Sequence, residues 1–229
     1  MYDLTKFTLQ DMTHCGDALQ QFGLKAKHVE ELADSICRYF YDHLIDKKTG
    51  EKSSVLVRFF MTYPYASLDG ELQKLADGIL QGQSAPPQEM KCLILMATAG
   101  ILPEWNSTKL SKGHRVLPLI NEEMLKQNLM VYQFLYQLGI DISNVLNPDP
   151  NLAIELENKI FSVYYVPDAP GSPYIPAQNE FVVPFGIKSA LGFGGMLPTG
   201  NLFSLIIFSK AKIPRNTADM FKNIALNVR

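Results

Sequence analysis

Residues 181–208 read FVVPFGIKSALGFGGMLPTGNLFSLIIF, and the reading of this stretch decides the fold. The run from Leu202 to Phe208 is almost unbroken apolar sequence rich in β-formers, the pattern of a central strand buried on both faces. Gly186 to Met196 reads as its partner, placing Ile187, Ala190, Leu191 and Phe193 beside small residues. Between them, Pro198-Thr199-Gly200-Asn201 supplies a proline that presets φ and a glycine that accepts positive φ, which is hairpin chemistry. Beyond Phe208 a polar bridge leads to a closing helix whose Met220, Phe221, Ile224, Ala225 and Val228 recur at helical spacing.

Upstream, Thr8 to Gln21 is a helical candidate carrying Leu9, Met12, Ala18, Leu19 and Phe22, with Gly23 as its stop. A second helix is predicted from Ala26 to Leu44, where Val29, Leu32, Ala33, Ile36, Cys37, Phe40 and Leu44 form one apolar face. Ser54 to Tyr63 reads as a strand broken at Pro64, and Asp69 caps a helix from Gly70 to Leu80. GQSAPPQ, residues 82–88, is a turn or short linker. Lys91 to Thr98 is an apolar strand by composition, although periodicity also allows a buried helix. Irregular sequence from Gly100 to Leu119 holds Trp105 and His114. Asn121 starts a helix that runs to Leu138 and stops at Gly139. NPDPN is a turn opening a short helix to about Asn158, followed by a strand from Phe161 to Val166. The proline-rich loop 167–180 is expected to be ordered more by restricted φ than by hydrogen bonds. Few strands are adjacent except at the end, so the expected architecture is α+β, a central antiparallel sheet with helices packed on it.

The chain has 229 residues and a formal net charge of -2, with pI about 6.1 and mean hydropathy -0.01. That balance argues against nucleic acid or an anionic membrane as the main partner. A chain of this length buries roughly 70% of its unfolded surface and needs no metal or disulfide for stability. The three cysteines, Cys15, Cys37 and Cys92, are odd in number and widely spaced, which fits a reducing compartment. The opening MYDLTKFTLQDM has neither the basic nor the apolar region of a signal peptide, and the expected localisation is cytoplasmic.

Motifs that carry chemistry are few. GFGGMLPTG lacks the GK[ST] and the following helix of a phosphate loop and reads as small residues in a crowded strand. The four histidines, His14, His28, His43 and His114, show no metal-ligand spacing, and Asp149 and Asp168 lack a calcium-loop pattern. No GxSxG occurs, so no catalytic residue is assigned. Arg58 lies inside VLVRFF, where a guanidinium either faces water, pairs with an acid or contacts a ligand. Phe60, Tyr164, Tyr165 and Tyr174 either line a pocket or belong to ordinary core. Trp105 and His114 sit in long irregular sequence, where function concentrates.

The run F-x-x-P-F-G-I-K-S-A-L-G-F-G-G, the P-T-G turn, LFSLIIFSK and the closing helix resemble the second half of a GAF domain. ELADSICRYFYDHLID followed by SSVLVRFF is similarly like the opening helix and first strand of that fold. The closer match is to GAF-like input segments at the front of bacterial sensor histidine kinases and related multidomain signalling proteins. The resemblance implies a PAS-related central antiparallel sheet, with N- and C-terminal helices on one face and a ligand pocket on the other. It divides the chain into an N-terminal signalling helix, 1–23, and a sensory domain, 24–229. It implies a homodimer through Leu9, Met12, Leu19, Phe22, Phe221 and Val228, and a downstream signalling module in the same polypeptide. The pocket it implies takes an unidentified small molecule beneath segments 100–119 and 167–180. Candidate ligand contacts are Arg58, Phe60, Trp105, His114, Tyr164, Tyr174 and Phe193.

Several family chemistries lack their residues. Ser209-Lys210, Ile213 and Thr217-Ala218 stand where cyclic-nucleotide-binding GAF domains carry Asn-Lys, Phe and Asp-Glu. No cysteine follows position 92, as methionine sulfoxide reduction needs, and no bilin-attaching Cys-His pair occurs. The chain is thus expected to be a non-catalytic input domain with no metal signature. A degenerate GAF domain that only dimerises and, more remotely, a small redox enzyme are the alternatives.

Overall fold

The decisive stretch folds as a hairpin in the computed structural model, which describes residues 1–81, 87–111, 113–147 and 162–228. The elements in chain order are α1 (Leu9–Lys25), α2 (Val29–His43), β1 (Ser54–Pro64), α3 (Gly70–Leu80), β2 (Lys91–Gly100) and β3 (Val116–Leu119). They continue with α4 (Glu122–Gln127), α5 (Leu129–Leu138), α6 (Ile142–Leu146), β4 (Tyr164–Val166), β5 (Ser189–Met196), β6 (Leu202–Ser209) and α7 (Arg215–Leu226). The strands form one antiparallel sheet in the order β3-β2-β1-β6-β5-β4.

β5 and β6 pair from Ser189↔Ser209 to Met196↔Leu202, and every residue of both is buried. The turn closes through Leu197 N–H donating to the Asn201 carbonyl at 2.8 Å, with Gly200 at φ 73. The Lys91 ammonium donates to Asn201 Oδ1 at 2.8 Å and ties the turn to β2. Two of the small residues in β5 are required by close approach. A Cβ on Gly194 would stand 2.3 Å from the Phe203 carbonyl oxygen, and one on Gly192 would stand 2.9 Å from Phe134.

Strand alternation sorts the side chains onto two faces. On the first, Val57, Phe59, Met61, Leu191, Phe193, Phe203, Leu205 and Ile207 meet α1, α2 and α7. Phe40, Phe193 and Phe221 form its centre, with ring centroids 5.8–6.0 Å apart. Burying each such ring is worth about 1.5–3 kcal/mol. Asn227 joins α1 to α7: its Oδ1 accepts from Gln20 at 2.8 Å, and its amide lies against Gly16. The opening residues are part of the same core, since Tyr2, Leu4 and Phe7 are buried and the Tyr2 and Tyr39 hydroxyls are hydrogen-bonded. The second face holds Leu56, Tyr164, Val166, Ala190, Ile206 and Phe208 beneath α5, α6 and the segments around Trp105 and residues 169–187.

Several boundaries differ from the sequence reading. β5 begins at Ser189, because Gly186 takes φ 63 and interrupts the extended backbone. α1 passes through Gly23 to Lys25, and α2 starts at Val29. The predicted helix from Asn121 to Leu138 is two, broken at Asn128, whose side chain accepts from the Val131 N–H and caps α5. β3 lies inside the segment read as irregular; its four residues pair with β2 at the sheet edge, where Pro118 is tolerated. Of the strand read from Phe161 to Val166, the described residues from 162 onward show Tyr164–Val166 as strand. The proline-rich loop is hydrogen-bonded after all: Gln178 Nε2 donates to the carbonyls of Ala169, Ser172 and Ile175, and its Oε1 accepts from Gly171 N–H. Residues 178–182 form a π-helical turn. The helix predicted to Asn158 and most of the 82–88 linker lie outside the described residues.

Two glycines should respond oppositely to substitution. Gly194→Ala should destabilise by about 1–3 kcal/mol through overpacking. Gly23→Ala, in an exposed stretch of α1 with nothing within 4 Å of the new methyl, should stabilise by about 0.5–1 kcal/mol. Urea unfolding midpoints check both.

The cysteines give a second test. All three are free and buried. Burial pushes Cys15 up to about 12 and Cys92 to about 11 from an ordinary 9.0, and raises Cys37 as well. Unfolded thiols lose protons as pH rises past that ordinary value while folded ones keep them. Stability is therefore retained below pH 9.0 and falls above it. A lower urea midpoint at pH 10 than at pH 8, with no thiol labelling of the native protein by a disulfide reagent at pH 8, is the expected result.

Candidate ligand site

The VLVRFF segment of β1 sends Leu56, Arg58 and Phe60 to the second face and Val57 and Phe59 to the helix-covered one. Arg58 is thereby placed opposite Thr98 on β2 and Ile206 on β6, at the middle of the sheet. It is half-buried; Nη2 donates to Ser111 Oγ at 2.8 Å, while Nε is buried with no hydrogen-bond partner. Among the described residues no carboxylate pairs with it. Burial lowers its pKa to about 10, so the group stays cationic at neutral pH. A buried donor left without an acceptor costs about 1–3 kcal/mol.

Ser111 is carried by the segment that follows β2. The Thr98 hydroxyl donates to the Trp105 carbonyl at 2.9 Å and holds the 3₁₀ turn Pro103–Asn106 over the end of β2. Asn106 closes the same turn, its amide donating to Gly100 and Leu102 carbonyls at 2.9 and 2.8 Å. Gly100 is needed here because its Cβ would meet the Trp105 Cβ at 2.9 Å. Trp105 packs against Phe185 and Phe181, and Phe181 against Phe208, so the two loop segments cover the face together.

After Ser111, Gly113 and His114 both have positive φ, 70° and 58°. Positive φ is strained at a residue with a Cβ such as His114. Desolvation, then the Arg58 charge, hold the imidazole below its ordinary pKa, an effect that solvent weakens because the residue as a whole is exposed. Arg115 anchors the segment by an ion pair to Glu71 on α3 at 2.6 Å.

The structure therefore places Arg58, Phe60 and Trp105 on one face, with His114 on the segment that carries Ser111. Tyr164 lies farther along that face, fully buried against Phe134, with its hydroxyl donating to the Tyr174 carbonyl at 3.3 Å. Burial raises its pKa. Tyr174 is half-buried and lines a shallow depression of about 310 Å³ with Val166, Pro167 and Pro173. A second depression of about 320 Å³ lies between α4, α5 and α6, lined by Glu122, Tyr132, Tyr136 and Asp141. Neither is lined by Arg58.

Phe193 is a correction: it is fully buried on the opposite face, between Phe40 and Phe221, because its odd position in β5 alternates with Gly192 and Gly194. Leu19, Phe221 and Val228 are corrections too. All three fill the core of this chain, where they are 1%, 0% and 9% exposed, and offer little surface to a partner. Leu9 is exposed, and Met12 and Phe22 are half-buried. Thr98, Ser111 and Gln178 escaped the sequence reading. Ser111 stands in the basic run KLSKGHR, a signal for it, whereas Thr98 is recognisable only from its register with Arg58.

Among the described residues no group of three His, Cys, Asp or Glu side chains is placed to hold a metal ion, and no helix is long and apolar enough to cross a membrane. No family model, no curated protein and no solved structure matches the chain.

Proposed function

We propose that this chain is a GAF-like sensory input domain of a signal-transduction protein, binding a small molecule on the sheet face that carries Arg58. One observation carries the reading: the two faces of the sheet are covered in unlike ways. α1, α2 and α7 seal one face with apolar packing, whereas the other holds a half-buried cation under loop segments rather than under long helices. Loops positioned by a rigid sheet are where binding residues concentrate. The central antiparallel sheet with both terminal helices on one side supports the GAF-like reading.

In this reading the domain is non-catalytic and signals by a population shift, which requires the ligand to favour one packing of the terminal helices. The path is short: Ile206 beside Arg58 belongs to β6, whose Leu205 and Ile207 meet the helix layer. α7 follows β6 directly and would pass the change to a downstream module. Homodimerisation would use the exposed parts of the terminal helices, Leu9 and Leu24 on α1 and Leu226 on α7, and not their buried seams.

Native mass spectrometry of the purified protein should find a retained small molecule. Its removal should raise hydrogen exchange in residues 100–120 and alter exchange in α7. A protein that carries nothing, and whose α7 exchange no metabolite extract changes, would leave only the degenerate, dimerising reading.

A further inference from the structure

We propose that Arg58, with Ser111 hydrogen-bonded to it, receives the anionic head of the ligand, a carboxylate or a phosphate, with its apolar body lying toward Phe60 and Ile206. This inference rests on the ligand-binding reading and names the chemistry of what is bound. Arg58 Nε is buried without an acceptor, and Nη2 is engaged only by a neutral hydroxyl. A guanidinium kept for structure is normally met by a carboxylate, and Glu71, the acid paired to this segment, is already committed to Arg115. The sequence around the site adds to the excess of positive charge. Residues 109–115 contain Lys109 and Lys112 besides the paired Arg115, and no acid, in a chain whose net charge is -2.

The position also selects against a polyanionic surface. Arg58 is half-buried on the sheet between Thr98 and Ile206, with Ser111 against it, a setting that suits a single head group and not a nucleic acid backbone. Phe60 lies two residues along on the same face and Ile206 directly across on β6, both apolar. A ligand matching this surface combines one anionic group with a compact apolar body.

The stability of the unliganded protein separates a binding arginine from a structural one. Arg58→Met removes a buried charge that has no counter-ion and keeps the apolar stem, so the unliganded variant should melt at or above the wild-type temperature. Thermal unfolding would be followed for the wild type, Arg58→Met and Ser111→Ala with benzoate, phenyl phosphate and the neutral benzamide as probes. At least one of the two anions should raise the wild-type Tm while benzamide does not, and the one with the larger shift identifies the head group. The response should vanish in Arg58→Met and weaken in Ser111→Ala. A large fall in Tm for unliganded Arg58→Met would overturn the proposal by making the arginine structural. So would an anion response that persists in the variant, or no response to either anion. Native mass spectrometry of both proteins distinguishes the two levels of failure. A neutral molecule retained equally by wild type and Arg58→Met sinks the anion assignment and leaves the ligand-binding reading standing, whereas nothing retained by either, with no anion response, sinks both.

Discussion

The approach of β5 to β6 at Gly194 governs where side chains go in the rest of the molecule. A methyl group there would stand 2.3 Å from the Phe203 carbonyl oxygen, so only glycine fits this register. With Gly194 opposite Ser204, Phe193 is opposite Leu205 and faces the helices, where it meets Phe40 and Phe221. A slip by one residue would send Phe193 to the other face and strand the helix layer over glycines. β6 transmits the same register to β1, so the choice made at Gly194 also settles that Arg58, paired with Ile206, faces away from the helices.

The two faces then do different work. The helix face is largely apolar, and its side chains come from both ends of the chain, Tyr2 and Leu4 as well as Phe221 and Ile224. That closes the terminal segments onto one core and accounts for why Leu19 and Phe221 are filled positions and not a dimer seam. The opposite face is built from shorter pieces: the Asn106-closed turn, the clamp of Gln178 on three carbonyls, and the Trp105–Phe181–Phe185 cluster. The first two hold a loop in one shape by side-chain hydrogen bonds to backbone carbonyls, and the third does so by ring contacts. Between them a cation is left whose one hydrogen bond among the described residues is to a serine.

Much of the fold was legible because it rests on local chemistry. The hairpin could be read from Pro198 and Gly200 between two β-rich runs, α3 from its Asp69 cap, and α2 from its apolar face. The misreadings also have local causes. Asn128 caps α5 from inside an apparently continuous helix, and a four-residue edge strand containing Pro118 carries too little pattern to be seen. Of the candidate site, Arg58 stood out because a charge inside VLVRFF breaks the period of a buried strand.

The sequence by itself determined the β5–β6 hairpin and most of the segments that coil, since turn residues, caps and hydrophobic period act within a few residues of one another. It did not determine which side of a strand meets the helices, because alternation is symmetric until another layer packs against it. Nor did it determine whether the apolar stripes of α1 and α7 are buried by this chain or by a second copy, since burial by either satisfies the same pattern. Only the tertiary structure decided that Phe193, Leu19 and Phe221 belong to one core. The surroundings of Arg58 likewise depended on bringing Ser111 to it across 53 positions, while no described carboxylate pairs with it.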